Sequence, residues 1–190
     1  MDDATLMRRI AEGDEKAFET LVERHQGLVL GVVARMLGHR GDAEDIAQEV
    51  FVRAWKSASR YKPSAKFTTW LLTIARNLVF NAVRDNRRHA RNVSMDDEET
   101  VCQWPDPATR TPAQEHADKE LREAVDAAIE ALPPQQRMAL ILRRYDGLAY
   151  EEIAEVLKTS VPSVKSLLFR AREELRARLS GWLGENSIEK

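Results

Sequence analysis

The chain has 190 residues, 43% hydrophobic and 32% charged, with a formal net charge of −2, which leaves room for one medium or two small globular domains. Bulk charge therefore cannot drive nucleic-acid binding, and only local basic patches can. One cysteine, Cys102, excludes an internal disulfide and fits a reducing compartment. No apolar run approaches the ~18 residues of a membrane span, and the opening MDDATLMRR lacks the basic-then-apolar order of a signal peptide. These features predict a cytoplasmic protein with no direct membrane insertion.

The apolar spacing is helical from the start. Asp2 or Asp3 is placed to cap a short helix carrying Leu6, Met7 and Ile10, ended by Gly13. Asp14 then caps a longer helix with Phe18, Leu21, Val22, Leu28, Val29, Val32, Val33 and Met36 at intervals of three and four. Gly38 to Gly41 stop it, and Asp42 is placed to open a third helix, with Asp45 as the acid of a capping box. That helix, Asp42 to Ser57, turns Ile46, Val50, Phe51 and Ala54 inward. Asp45, Gln48, Glu49, Val52, Arg53 and Lys56 fall on the other face, and periodicity alone reads them as an ordinary solvated surface.

The loop ASRYKPSAKF follows, with Pro63 and Ser64 at its centre, and Thr68 or Thr69 is placed to cap a long helix with Trp70, Leu71, Ile74, Leu78 and Val79 inward. Tyr61, Lys62, Lys66, Phe67 and Trp70 put aromatic and cationic groups together around this loop. Such a set suits single-stranded nucleic acid, because bases stack on rings while cations follow the backbone. The same rings would also serve to seal a helix junction. Basic residues continue along the helix at Arg76, Arg84, Arg87, Arg88 and Arg91.

From residue 92 to 111 the helical pattern fails, with an acidic run from Asp96 to Glu99 and prolines at 105 and 107. The expectation is a flexible acidic linker between separate domains, spanning roughly 25 Å as a coil and about 70 Å when extended. Thr111-Pro112 is a cap with proline at the first helical position. Leu121, Val125, Ile129 and Leu132 form the next inward stripe, and Pro134 opens a further helix with Met138, Leu140, Ile141 and Leu142, closing at Asp146-Gly147.

Residues 150 to 179 have the form of a helix-turn-helix. Ile153, Ala154 and Leu157 give the first helix an apolar face, Lys158-Thr159-Ser160 breaks the pattern, and Ser160 caps the second helix. Val161, Val164, Leu168, Ala171 and Leu175 point inward there, while Lys165, Ser166, Arg170, Arg172, Arg176 and Arg178 lie outward. A cationic helix behind a short acidic one suits the major groove. The whole chain reads as all-α: a domain over 1–91, a linker over 92–111, a second domain over 112–182 and a tail over 183–190.

Four stretches, DAEDIAQEVFVRAW, FTTWLLTIARN, ALPPQQRMALILRRYDGLAYEEIAEVL and SVKSLLFRAREEL, occur in this order. Together they resemble regions 2 and 4 of bacterial sigma-70-family factors, in the two-domain group called extracytoplasmic function (ECF) sigma factors. The resemblance runs from about Phe18 to Leu179. It implies a sigma region 2-like and a region 4-like domain, and a function in which the chain binds core RNA polymerase and reads the −10 and −35 elements of promoter DNA. It further implies that Asp45, Gln48, Glu49, Val52, Arg53 and Lys56 meet the polymerase clamp. Tyr61, Lys62, Ser64, Lys66, Phe67, Trp70, Arg76, Asn77 and Asn81 would receive a flipped −10 base and support strand separation. Ser160, Ser163, Lys165, Ser166, Phe169 and Arg170, in the helix-turn-helix over 150–169, would face the −35 duplex. Three positions depart from the family's habit: Ala149 stands where a capping Ser is usual, Pro162 where Gly is frequent, and Leu167 where Arg is common. The first omits a cap worth ~1 kcal/mol.

The resemblance also implies an anti-sigma factor as partner. No enzyme, cofactor or metal is expected: His25, His39, His89 and His116 lack ligand spacing, and no phosphate loop or nucleophile motif is present. Two other classes stay open at this point. One is a one-component regulator that binds duplex DNA without polymerase and would want a palindromic site. The other is a helical adaptor whose basic helix is merely solvated. Two promoter elements about two helical turns apart lie roughly 70 Å from each other, whereas a 190-residue globule has a radius of gyration of roughly 16 Å. Reading both therefore needs two separable domains.

Overall fold

The computed structural model describes residues 1–38, 40–63, 65–92 and 112–185, except for the side chains of 40–42, 86–92, 112–118 and 183–185. The linker 92–111 lies almost wholly outside these residues, as do Cys102, Ser64 and the end of the tail. Among the described residues every regular element is helical. The order is α1 (Asp3–Ala11), α2 (Glu15–Leu37), α3 (Arg40–Lys56), α4 (Phe67–Asn92), α5 (Pro112–Glu130), α6 (Pro134–Arg144), α7 (Tyr150–Leu157), α8 (Val161–Arg178) and α9 (Ser180–Glu185). A single 3-10 turn, Ala58–Arg60, separates α3 from the loop before α4.

The caps explain where most helices begin. Asp2 accepts from the Thr5 amide at 2.8 Å, and Asp14 accepts from the Ala17 amide at 3.0 Å, each satisfying an orphan donor of a first turn. Asp14 also meets Arg9 through a second carboxylate contact, so one side chain ties the end of α1 to the start of α2. Gly38 ends α2 at φ +74, in the left-handed region that L side chains avoid.

Three expectations about helix ends and faces are corrected. α3 starts at Arg40, so Asp42 lies within it and is no N-cap, and Asp45 is no capping-box acid; the left-handed Gly38 stops α2 without help from Gly41. α4 starts at Phe67, whose ring is buried and fixes the first turn, so Thr68 and Thr69 are helical; Thr69 is itself buried. Leu121 is exposed rather than inward, because α5 finds little but α8 to pack against and its apolar stripe outruns its neighbour.

α1 to α4 form one helical block around Leu6, Met7, Leu21, Val29, Val33, Met36, Val50, Leu71, Leu72 and Val79. α6, α7 and α8 form the other around Met138, Ile141, Leu142, Ile153, Val164 and Leu168. The two blocks touch: α7 packs on α4 and α6 on α2, and the buried residues of both belong to a single apolar cluster. Arg137, at 7% exposure, donates from α6 to the Met36 carbonyl at 2.7 Å.

Two outcomes follow. Leu21→Ala, at a fully buried position, lowers stability by about 2–5 kcal/mol in chemical denaturation. The amide bond to Ala17 and the contact with Arg9 hold the Asp14 carboxyl below its ordinary value of 3.8. Its contribution is thus complete above that value and is lost as pH falls through the lower folded value. Thermal melts between pH 5 and 2.5 should show Asp14→Asn already destabilised at pH 5, with the gap to the wild type closing as the wild type acidifies.

Candidate polymerase and nucleic-acid interfaces

Three surfaces carry the residues that the sequence singles out. On α3, Ala43, Ala47, Val50, Phe51 and Ala54 are buried, and this fixes the opposite face toward solvent. Asp45, Gln48, Val52, Arg53 and Lys56 are exposed there and Glu49 is half-buried. Arg53 Nε donates to Glu49 Oε1 at 2.7 Å, a solvated i,i+4 pair of little energetic weight. Val52 is 40% exposed, an apolar spot within a charged surface.

The second surface, the mouth, is formed by the 3-10 turn, residues 61–63 and 65–66, and the start of α4. Tyr61, Phe67 and Trp70 meet as one aromatic set, with ring centroids 5.8 Å (61–67), 5.0 Å (61–70) and 5.6 Å (67–70) apart. Phe67 is the buried floor, while Tyr61 and Trp70 are half-buried at the rim. Burial, together with the charges of Asp3 and Asp2, pushes the Tyr61 phenol above its ordinary value of 10.0. Lys62 and Lys66 are exposed, and Lys66 Nζ lies 2.7 Å from Glu152 Oε1 on α7. Along α4, Asn77 and Asn81 are exposed. Arg76 is half-buried, with its guanidinium 5.8 Å from the Phe80 ring and lowered in pKa by burial.

Sequence reading missed what supports this floor. His25 is buried, its ring centroid is 5.0 Å from that of Phe67, and its Nε2 is 3.1 Å from Asp3 Oδ2. Asp3 also meets Arg24 at 2.6 Å, so the N-terminal helix is clamped against the helix that backs the mouth. A lone histidine in a helical stripe gives no sign of a contact that spans 22 or more residues of chain.

The third surface is the helix-turn-helix. Lys158, the last residue before the turn, adopts φ 53, a left-handed conformation uncommon outside glycine. It delivers Ser160, whose hydroxyl accepts from the Ser163 amide at 3.4 Å and starts α8. Ala149 offers no cap to α7, but Glu152 reaches back to the Ala149 amide at 2.8 Å, the acid half of a capping box. Val164, Leu168 and Ala171 are buried; Lys165, Ser166, Phe169 and Arg170 stand outward, Phe169 at 65% exposure. Leu167 is half-buried against the core, so at this position the chain packs a side chain where a cation would reach out. Arg143, Arg144 and Arg172 border a shallow groove between α6 and α8. Among the described residues no group of three His, Cys, Asp or Glu side chains is gathered as a metal site would need, and no helix is long and apolar enough to cross a membrane.

Comparison with known proteins follows these surfaces. The family model for sigma-70 region 2 matches residues 21–89, which hold the α3 face and the aromatic mouth. The model for sigma-70 region 4 matches residues 122–175, which hold the helix-turn-helix. The RNA polymerase sigma-H factor of Pseudomonas aeruginosa is 33% identical over 186 residues, 96% of each chain. The ECF RNA polymerase sigma-E factor of Escherichia coli K12 is 36% identical over 178 residues, 92% of this chain and 93% of its own. Among solved structures, CnrH in complex with the cytosolic domain of CnrY matches with a TM-score of 0.67 at 27% identity, covering 94% of this chain and 97% of that one. RpoE of Bartonella quintana, solved with the anti-sigma factor NepR, shares the fold with a TM-score of 0.68 at 23% identity, over 87% of this chain and 98% of its own. With both region models matched in order and relatives aligned over more than nine-tenths of its length, the chain belongs to the sigma-70 family, in its ECF group.

Proposed function

We propose that this chain binds core RNA polymerase, brings it to promoters with a −35 and a −10 element, and helps to separate the strands at the latter. The observation that carries the reading is the pairing, on one chain of this family, of an outward α3 face and an aromatic-cationic mouth with a helix-turn-helix. Asp45, Gln48, Glu49, Val52, Arg53 and Lys56 meet the polymerase. Asn77, Asn81 and Arg76 face the separating strand along α4.

The mouth performs the energetic step. Extruding a base from the stack costs a few kcal/mol, and stacking on an aromatic ring returns about 1–3 kcal/mol per base. Tyr61 and Trp70 supply ring faces at the rim, Phe67 holds both from below, and Lys62 and Lys66 attract the backbone phosphates. Nothing is hydrolysed or transferred, so the chain acts by binding and not as an enzyme, and it needs no cofactor.

At the −35 element, Lys165 and Arg170 reach guanine edges or phosphates, Ser160, Ser163 and Ser166 bond to either, and Phe169 offers an apolar contact of the kind that thymine methyls accept. Its place of work is the cytoplasm, where the polymerase is. The Bartonella quintana RpoE structure holds the anti-sigma factor NepR, and an anti-sigma factor covering the α3 face or the mouth is the proposed regulator.

Run-off transcription on a genomic-fragment library with bacterial core polymerase tests the proposal. Discrete start sites sharing an upstream two-part motif are expected only when the protein is present. Binding to a palindromic duplex with no polymerase-dependent transcript would replace this reading with a one-component regulator. Arg53→Glu is expected to weaken core binding at least tenfold in a titration while shifting stability by no more than about 0.5 kcal/mol, because the residue is solvated. Lys165→Ala and Arg170→Ala each cost about 1–3 kcal/mol in −35 duplex affinity if they contact bases; a phosphate contact instead reduces the salt slope by about one.

A further inference from the structure

The floor of the mouth rests on a polar relay as well as on apolar packing. The buried His25 ring meets Phe67 with centroids 5.0 Å apart and planes inclined at 51°. A ring among aliphatic side chains can tilt, but this one is tied. Its Nε2 stands 3.1 Å from Asp3 Oδ2, and a carboxylate can only accept, so Nε2 carries the proton and donates. The other oxygen of that carboxylate meets Arg24 Nη1 at 2.6 Å, and Arg24 also donates to the Met1 carbonyl at 3.2 Å. Asp3 is thereby engaged by two consecutive residues of α2. The turn that carries it is fixed in its own right, because Asp2 accepts from the Thr5 amide at 2.8 Å and Leu6, Met7 and Ile10 are buried. α1 also packs on the 3-10 turn that delivers Tyr61. The Asp3 charge reaches that phenol, where it adds to burial in raising the pKa.

We propose that Asp3 and His25 are positioning residues for base capture. The Asp3–His25 bond sets the angle of the imidazole, the imidazole sets the height of Phe67, and Phe67 holds Tyr61 and Trp70 where an extruded base can stack. The proposal rests on the initiation reading above. Neither residue is a strand contact: His25 is buried beneath the floor, and the Asp3 carboxylate would repel a phosphate. The relay has little tolerance, since a gap of about 0.5–1 Å between packed atoms already forfeits a quarter to a half of their attraction. A floor that tilts therefore leaves the rim rings unsupported. Asp3 and His25 belong to neither the outward face of α3 nor α8, so their loss should slow strand opening and leave the first encounter with the promoter unchanged. A histidine that merely filled space would accept phenylalanine without loss, because the ring stays and a buried polar atom goes.

Opening kinetics test this with full-length chain bound to bacterial core polymerase. The probe is a promoter recovered from the run-off library, with 2-aminopurine replacing an adenine of the −10 non-template strand, so that unstacking raises its fluorescence. The opening rate is followed against holoenzyme concentration, with holoenzyme in excess over DNA. Half-saturation reports the first encounter and the ceiling reports opening, while a misfolded fraction stretches the concentration axis and leaves the ceiling alone. His25→Phe and Asp3→Ala should each lower the ceiling about tenfold, the size of a partial loss of one base's stacking, and keep half-saturation within about twofold. The double variant should be no slower than His25→Phe, because Asp3 acts through the imidazole. Arg24→Met, which removes a solvated ion pair but spares the Asp3–His25 bond, should open within about twofold of the wild type. A His25→Phe chain with the wild-type ceiling would overturn the proposal. So would a double variant slowed by the product of the two single effects, or an Arg24→Met chain slowed as much as Asp3→Ala. If the wild-type holoenzyme opens no promoter, the initiation reading itself fails and the positioning role falls with it; the other adverse results leave that reading intact.

Discussion

The bond from Arg137 to the Met36 carbonyl is where the arrangement of the chain is decided. The last carbonyls of a helix have no partner inside it. At the end of α2 the Gly38 amide turns back to Ala34, and Met36 is met by Arg137 from a helix 101 residues further on. The donor is cationic and stands at the negative end of the α2 dipole, where a positive charge is favoured. Burying a guanidinium costs several kcal/mol of desolvation, so the bond offsets a cost rather than adding a surplus. Losing one partner would strand the other polar group at a cost of about 1–3 kcal/mol. The contact therefore works as a register: α6 rests on α2 where Arg137 Nη1 meets the Met36 carbonyl. The Lys66–Glu152 pair has the opposite character. Lys66 is 74% exposed, and a solvated pair of this kind is worth at most about 1 kcal/mol.

Much of this architecture was legible from residue order, and the reasons are local. Asp2, Asp14 and Ser160 cap the helices they precede because a short acceptor before an apolar stripe has few other uses. Gly38 and Gly147 end or bound helices at positive φ because only glycine does so without strain. The inward stripe of α8 holds from Val164 to Ala171 because three and four are the only spacings that keep one face. What was not legible depends on neighbours. Leu121 follows the same stripe rule yet is exposed, since a stripe records a face and says nothing of whether a partner extends far enough to cover it. Phe67 reads as a candidate stacking ring and lies as the floor beneath two others, because His25 and Asp3 come to it from the far end of the sequence. Arg35, Arg137 and Glu152 belong to no local pattern at all.

The surfaces share one construction. In α3 and α8 the buried positions are Ala and Val with one larger residue, Phe51 in the first and Leu168 in the second, and Ile46, Trp55 and Leu167 pack at the edge of the core. Onto its outer face each helix sets one exposed apolar side chain among charges, Val52 on α3 and Phe169 on α8. Exposed apolar residues are common on proteins and need no explanation singly. Their position at the centre of charged faces matches the usual anatomy of recognition surfaces, in which desolvated apolar or aromatic anchors sit inside a polar rim. At Leu167 the same helix goes the other way and uses the side chain for packing. On the proposed reading, α8 thereby has one cation fewer for phosphates, and Lys165, Phe169 and Arg170 are left to do more of the discrimination.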